Sequence, residues 1–390
     1  MLAAAGTFAL TMGVRQSMGL FLSPLNTATG LGLASISLAF AFGQLWWGLT
    51  QPFAGMLADR LGATRILLAG VALVALGTFL TPLMGSTAGL VLVIGVLSAG
   101  GAGMAGPAVL MGATLRLVPP HRRGFATGLV NAGGSFGQFL MAPIATTLMA
   151  VMGWSAALQV MGLLVLLALP AAFVLRGGHV QAAGVAAPLP TGQAVRQALH
   201  TPSFLLLASG FFVCGFHVAF LGTHMPGVIA ACGLPAQWAG WSLAMIGLFN
   251  IAGSLAMGWA MGRWRYKRLL SLVYATRALG VLVFVLAPKT GPVLLAFSAL
   301  MGFTFLSTVP ATAGLVAKFF GTANLATLVG LVMLTHQVGG FLGAWLGGRV
   351  FEATGSYDLV WYIDIVLAVG AALVHLPIRE APVAPRAAAA

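Results

Sequence analysis

Gly55-Met56-Leu57-Ala58-Asp59-Arg60-Leu61-Gly62-Ala63-Thr64-Arg65 follows one long apolar segment of this chain, and Gly258-Trp259-Ala260-Met261-Gly262-Arg263-Trp264-Arg265-Tyr266-Lys267-Arg268 follows another. Glycine, arginine and arginine at 55, 60 and 65 recur at 258, 263 and 268, an offset of 203. Gly128-Leu129-Val130 and Gly137 recur as Gly330-Leu331-Val332 and Gly339, an offset of 202. The chain is therefore a duplication. Repeats of this size, built of apolar segments, are how many transporters form two bundles around a site at the membrane midplane.

Composition agrees. Of 390 residues, 60% are hydrophobic and 6% charged, and the mean hydropathy of +1.03 excludes a soluble globular chain. A bilayer core about 30 Å thick takes about 20 apolar residues per helix. That measure gives twelve spans: 3–24, 35–58, 66–83, 87–115, 124–149, 153–175, 203–230, 238–261, 269–287, 291–316, 325–348 and 359–378. The expected fold is all-α, twelve transmembrane helices in two six-helix bundles. Residues 1–176 would form the first bundle, 177–200 a linker with an amphipathic piece near 192–199, 201–380 the second bundle, and 381–390 a short tail. The N-terminus lacks a basic region and a cleavage site, so the first span is expected to remain as a helix.

Eighteen residues are basic and five acidic. Arg60, Arg65, Arg116, Arg122, Arg123, Arg176, Arg196, Arg263, Arg265, Lys267, Arg268, Lys318, Arg379 and Arg386 fall in alternate loops or the tail, against Lys289 and Arg349 near the opposite face. The positive-inside rule places both termini in the cytoplasm of a multi-pass inner-membrane protein. The pI of 11.4 thus reflects topology, and no nucleic-acid partner is expected. Cys214 and Cys232 lie about 27 Å apart along one helix at 1.5 Å per residue, too far for a disulfide.

Twelve spans, a central linker and the loop at 55–65 resemble the major facilitator superfamily. The resemblance implies that Gly55, Asp59, Arg60, Gly62 and Arg65 form a latch on the cytoplasmic face. The second copy has Gly262 where the acid would stand, so its latch should be weaker or purely cationic. Within the superfamily, residues 116–137, RLVPPHRRGFATGLVNAGGSFG, resemble the monocarboxylate and oxalate–formate carriers. Those carriers place a substrate-handling arginine in the eighth helix shortly after an asparagine like Asn250, where this chain has Ser254. Their acidic-glycine signature in the first helix is also missing, so the chain reads as a divergent cousin.

The charges inside the spans are the functional candidates, because a charge at the bilayer centre costs roughly 3 kcal/mol on insertion scales. Arg15 lies about 18 Å into the first span, near the midplane, where its planar fork can grip a carboxylate. Arg277 and Asp364 enter the ninth and twelfth spans from opposite sides, and a structural ion pair between them is expected. His217 occupies the repeat position of Arg15, 202 residues on. By the resemblance, His336 lies near a substrate-binding lysine of the oxalate–formate carriers. Either histidine can carry a proton near neutral pH or present positive charge to an anion. Asn131, Asn250 and Gln337 complete the substrate-binding candidates. Gln16, Gln44, Gln138, Thr304 and Thr308 either line a cavity or bond helix to helix. Trp46 and Trp47 suit a lipid-facing position as well as a cavity.

No carboxylate pair, Cys/His metal spacing or phosphate-binding glycine loop with a following Lys-Ser/Thr is present, so no enzyme, metal site or cofactor is expected. The cationic cavity, with no acid clearly inside it, points to a secondary transporter of a small organic anion, with a carboxylate the expected substrate. It would work as a monomer by alternating access, with proton coupling through His336 or His217 left open. The competing expectation is an efflux carrier for a neutral or amphipathic compound.

Overall fold

The computed structural model describes residues 1–119, 122–176, 190–321 and 324–383. Every regular element among them is helical. Helix α1 runs Leu2–Ser17, tightens through a 3-10 turn at Met18–Phe21 and continues as Leu22–Thr29. Helix α2 is Leu33–Leu61 and α3 is Ala63–Leu80. Helix α4, Thr87–Leu117, includes a π-helical stretch at Val91–Ser98 and breaks at Ala105-Gly106. One apolar stretch of 50 residues, Phe125–Val174, is two spans. Gly153, at φ +81° and ψ 165°, breaks it, a conformation open to glycine alone without strain. The parts before and after Gly153 are α5 and α6.

A short helix, Thr191–Leu199, matches the amphipathic piece expected near 192–199. Residues 177–189 of the expected linker and 384–390 of the tail lie outside the described residues. The second half follows with α7 Pro202–Ala231, α8 Gln237–Met261, α9 Tyr266–Leu286, α10 Gly291–Phe320, α11 Leu325–Thr354 and α12 Asp358–His375. The expected twelve-helix, two-bundle fold is thus observed. Leu167, Val174, Leu255, Leu286 and Val366 are each at least two-thirds exposed, as side chains that face lipid rather than water are.

The halves share a feature the loop comparison did not reveal. Helix α4 breaks before Pro107 and α10 breaks at Phe305-Leu306-Ser307, before Pro310. The prolines lie at the same 203-residue offset as the loops. Interrupted helices at matching positions are a further mark of the duplication.

The bundles meet along α1–α7, α2–α11 and α5–α8. Small residues carry the contacts: Gly19 packs on the Gly222 carbonyl, Gly48 on Gln337, Gly348 on Ser37, and Gly247 on Ser135 and Phe139. Two turns along the same faces, Gly55, Gly330 and Gly128 have nothing within 4 Å of a Cβ position. The bundles therefore touch over the half away from the basic loops and part toward the basic face. On the closed side, the Glu352 carboxylate accepts the backbone N–H of Ala34 at 2.7 Å, bonding α11 to the start of α2.

Candidate functional site

Where the bundles part, a polar group spans the seam. Arg15 is half-buried on α1 and donates through Nη2 to Gln44 Oε1 on α2. Its Cζ stands 4.7 Å from the centroid of the Trp47 ring, one turn further along α2. The indole N–H of Trp47 is buried and has no partner among the described residues. Gln44 lies against Gly340, 3.6 Å from its Cβ position, and Gln337 packs on Gly48. Arg15, Gln44, Trp47 and Gln337 thus share one neighbourhood between α1, α2 and α11. Its free donors, with a fixed guanidinium, suit an anion. Trp47, read from sequence as equally suited to lipid, is part of this group, whereas Trp46 packs on Gly100 of α4.

Other candidates separate from it. Asn131 is exposed on the parted face of α5. Asn250 is a tie rather than a free ligand: its Nδ2 donates to Ser135 of α5 at 2.8 Å, and its Oδ1 accepts the N–H of Leu306 in the α10 break at 3.0 Å. His336 turns into the second bundle, its ring 4.8 Å from that of Phe211 and beside the Cys214 thiol. His217 also turns inward, with Nε2 2.9 Å from Asp364 Oδ1 and 3.2 Å from the Asp364 carbonyl. His224 bonds the Ala344 carbonyl at 2.6 Å, as a helix-to-helix tie.

The Arg277–Asp364 ion pair is not formed. Asp364 meets His217 instead, and Arg277 donates to the carbonyls of Thr304 and Phe305 with its Cζ 5.2 Å from the Tyr274 ring. The break in α10 leaves carbonyls without helical partners in a medium with no water to bond them. Arg277 satisfies two of these, and Ser307 Oγ adds a 3.1 Å bond to Thr304. Broken α4 needs no such help, since Ala105 and Gly106 bond back to Gly101 and Gly103. Arg277 thus serves backbone that sequence reasoning treated as continuous helix. Pro107 and Pro310 at one offset were the signal that could have exposed it.

On the basic face, Arg60, Arg65 and Arg176 line a crevice of about 340 Å³ where α2 turns through Gly62 into α3. Gly55 lies one turn earlier on α2, and the side chain of Asp59 lies outside the described residues. The second copy of the loop has an acid after all. Glu380, beyond α12, accepts the N–H of Lys267 at 2.8 Å and pairs with Lys318 at 2.7 Å.

The family model described as Major Facilitator Superfamily matches residues 4–291 and 207–390. The chain is 26% identical to monocarboxylate transporter 13 of Rattus norvegicus, over 95% of this chain and 86% of that one. It is 25% identical to the oxalate:formate antiporter of Oxalobacter formigenes, over 95% and 89%. The inward-open xylose transporter XylE from E. coli superposes with a TM-score of 0.75 at 14% identity, over 96% and 95% of the two chains.

Proposed function

As this chain belongs to the major facilitator superfamily and is a membrane transporter rather than an enzyme, we propose that it carries a small organic anion, a carboxylate, across the inner membrane by alternating access. The observation that carries the reading is Arg15. It is a cation near the midplane, at the seam of the bundles, held by a neutral Gln44 and an indole face rather than by an acid. A guanidinium so placed keeps N–H groups for a carboxylate, and the anion supplies the neutralising charge that the membrane demands. The relatives' names, a monocarboxylate transporter and an oxalate:formate antiporter, fit that substrate class.

The basic loops lie on the cytoplasmic side in this reading, so the parted face is the inner one and the state is open inward. The chain works as a monomer, with the seam between its own bundles as the path. Gly55, Asp59, Arg60, Gly62 and Arg65 latch the inner face when it closes. Gln337 completes the substrate contact from the second bundle. His217 and His336, which turn into the second bundle, are the candidates for proton coupling.

The test is a thermal-shift screen of the purified protein against small mono- and dicarboxylates, repeated on Arg15→Gln. A ligand at 100 times its dissociation constant stabilises by about 2.7 kcal/mol. A shift that vanishes in Arg15→Gln supports the anion carrier. A shift that survives it, or none with any carboxylate, puts an efflux carrier for neutral or amphipathic compounds in its place.

A further inference from the structure

Asp364 is wholly buried in the second bundle, and His217 is the one side chain in ion-pair range of it among the described residues. The other described acids have different work at the membrane edges: Glu352 caps α2, Glu380 holds Lys267 and Lys318, and Asp358 opens α12. A mid-span carboxylate is expensive to insert. We propose that Asp364, with His217 beside it, is the binding site of a coupling proton that moves with the substrate anion. The proposal rests on the anion-carrier reading above.

The charge balance sets the sign. Arg277 is buried in the same bundle and has no ion-pair partner among the described residues. With Asp364 ionised and His217 neutral, this interior carries one positive and one negative charge. His217 Nε2 lies 2.9 Å from Asp364 Oδ1 without aligning to bond it, and neither carboxylate oxygen has a hydrogen-bond partner among the described residues. A buried carboxylate without a hydrogen bond is costly as an anion, which favours a proton on it. The contact joins α7, which touches the first bundle at Gly222, to α12, which packs on α9. Both helices belong to the second bundle, so the site travels with that bundle as it exchanges faces, and a proton bound on one side is released on the other. One proton and one monocarboxylate then cross together with no net charge.

Of the surrounding titratable groups, Tyr274 Oη and both ring nitrogens of His336 also have no hydrogen-bond partner among the described residues. On α9, Arg277 holds the α10 carbonyls and Tyr274 stacks on His375 of α12, which bonds Ala371. On α7, Cys214 lies 3.2 Å from Thr308 Oγ1 of α10, and His224 bonds Ala344. On α11, His336 packs on Phe211.

The experiment uses the full chain in proteoliposomes with lactate as probe, comparing wild type, Asp364→Asn and His217→Gln. Accumulation driven by a pH gradient and counterflow at equal internal and external pH are measured side by side. A one-proton symporter accumulates about tenfold per pH unit. Asparagine mimics the proton-loaded acid, which reorients freely, so Asp364→Asn should lose pH-driven accumulation and keep counterflow. His217→Gln should reduce the pH-driven part alone. PH-driven accumulation that persists in Asp364→Asn overturns the proposal, as does accumulation driven by a sodium gradient instead. Equal loss of both activities in a folded Asp364→Asn protein means a structural role and also overturns it. If wild type moves no lactate, the infrared carbonyl band of a buried protonated carboxyl decides. A pH-dependent band that Asp364→Asn removes supports the proton site without the anion reading, and its absence from wild type overturns both.

Discussion

Glu352 of one bundle caps a helix of the other: its carboxylate accepts the Ala34 N–H at 2.7 Å. Gly32 makes room for it. Its φ of +86° turns the chain into α2, and a Cβ there would stand 3.1 Å from both carboxylate oxygens. The contact exists only while the face opposite the basic loops is closed, so it stabilises this state against the other one.

Glu352→Gln should therefore shift the conformational balance without unfolding the protein. A capping carboxylate at an exposed helix start is worth about 0.5–1 kcal/mol, or about two- to fivefold in the equilibrium between states. Cysteines placed on the closed face should become correspondingly more reactive toward a membrane-impermeant maleimide. Unchanged labelling would show that the cap does not hold the face shut.

Arg15→Lys tests geometry rather than charge. An ammonium cannot bond Gln44 and present a planar fork to a carboxylate at once. Ligand affinity should fall by about 1.5–3 kcal/mol, at least about tenfold, although the positive charge remains. Full affinity in the lysine variant would mean that Arg15 acts only as a point charge. Trp47→Leu should weaken binding to a smaller degree, by removing the indole face on which the guanidinium rests.

The repeat, the spans and the position of Arg15 were legible because each depends on local composition or on a fixed offset. The partners of the buried charges were not. Arg277 and Asp364 look complementary along the chain, yet the break in α10 offered Arg277 carbonyls and the facing of α7 offered Asp364 a histidine. Gln44 was one polar residue among several until folding set it beside Arg15. Glu380 supplied the acid missing at Gly262 from beyond the last span, a position the loop motif does not contain. In each case the deciding fact is which face of a helix a residue occupies once neighbours pack, and hydropathy in an all-apolar helix hardly encodes it.

Cys232, just beyond α7, gives a pH-dependent readout of the face away from the basic loops. Burial raises its thiol above the ordinary value of 9.0, with Lys289 opposing and Asp358 adding to the shift. The thiolate is the reactive form, so maleimide labelling near neutral pH should be slower than for a free thiol and should still be rising above pH 9.0. Cys214 is buried and should label only after denaturation. Labelling of Cys232 at the free-thiol rate near neutral pH would contradict the burial.

The break in α10 should prove the most sensitive point of the second bundle. Asn250 bonds the Leu306 N–H from one side and Ser135 of the other bundle from the opposite side, while Arg277 holds the Thr304 and Phe305 carbonyls. Asn250→Leu strands a backbone N–H where no water can reach it, at a cost of about 1–3 kcal/mol. Arg277→Met strands two carbonyls but also removes a buried charge, so the two effects partly offset. Asn250→Leu should lower the melting temperature and, by cutting the bond to Ser135, loosen the α5–α8 seam. Ser135→Ala should loosen the seam alone. Measuring melting temperature and maleimide access to α5 in all three variants separates these roles. Asn250→Leu with wild-type stability would mean that the Leu306 N–H finds another partner and that Asn250 serves only the seam.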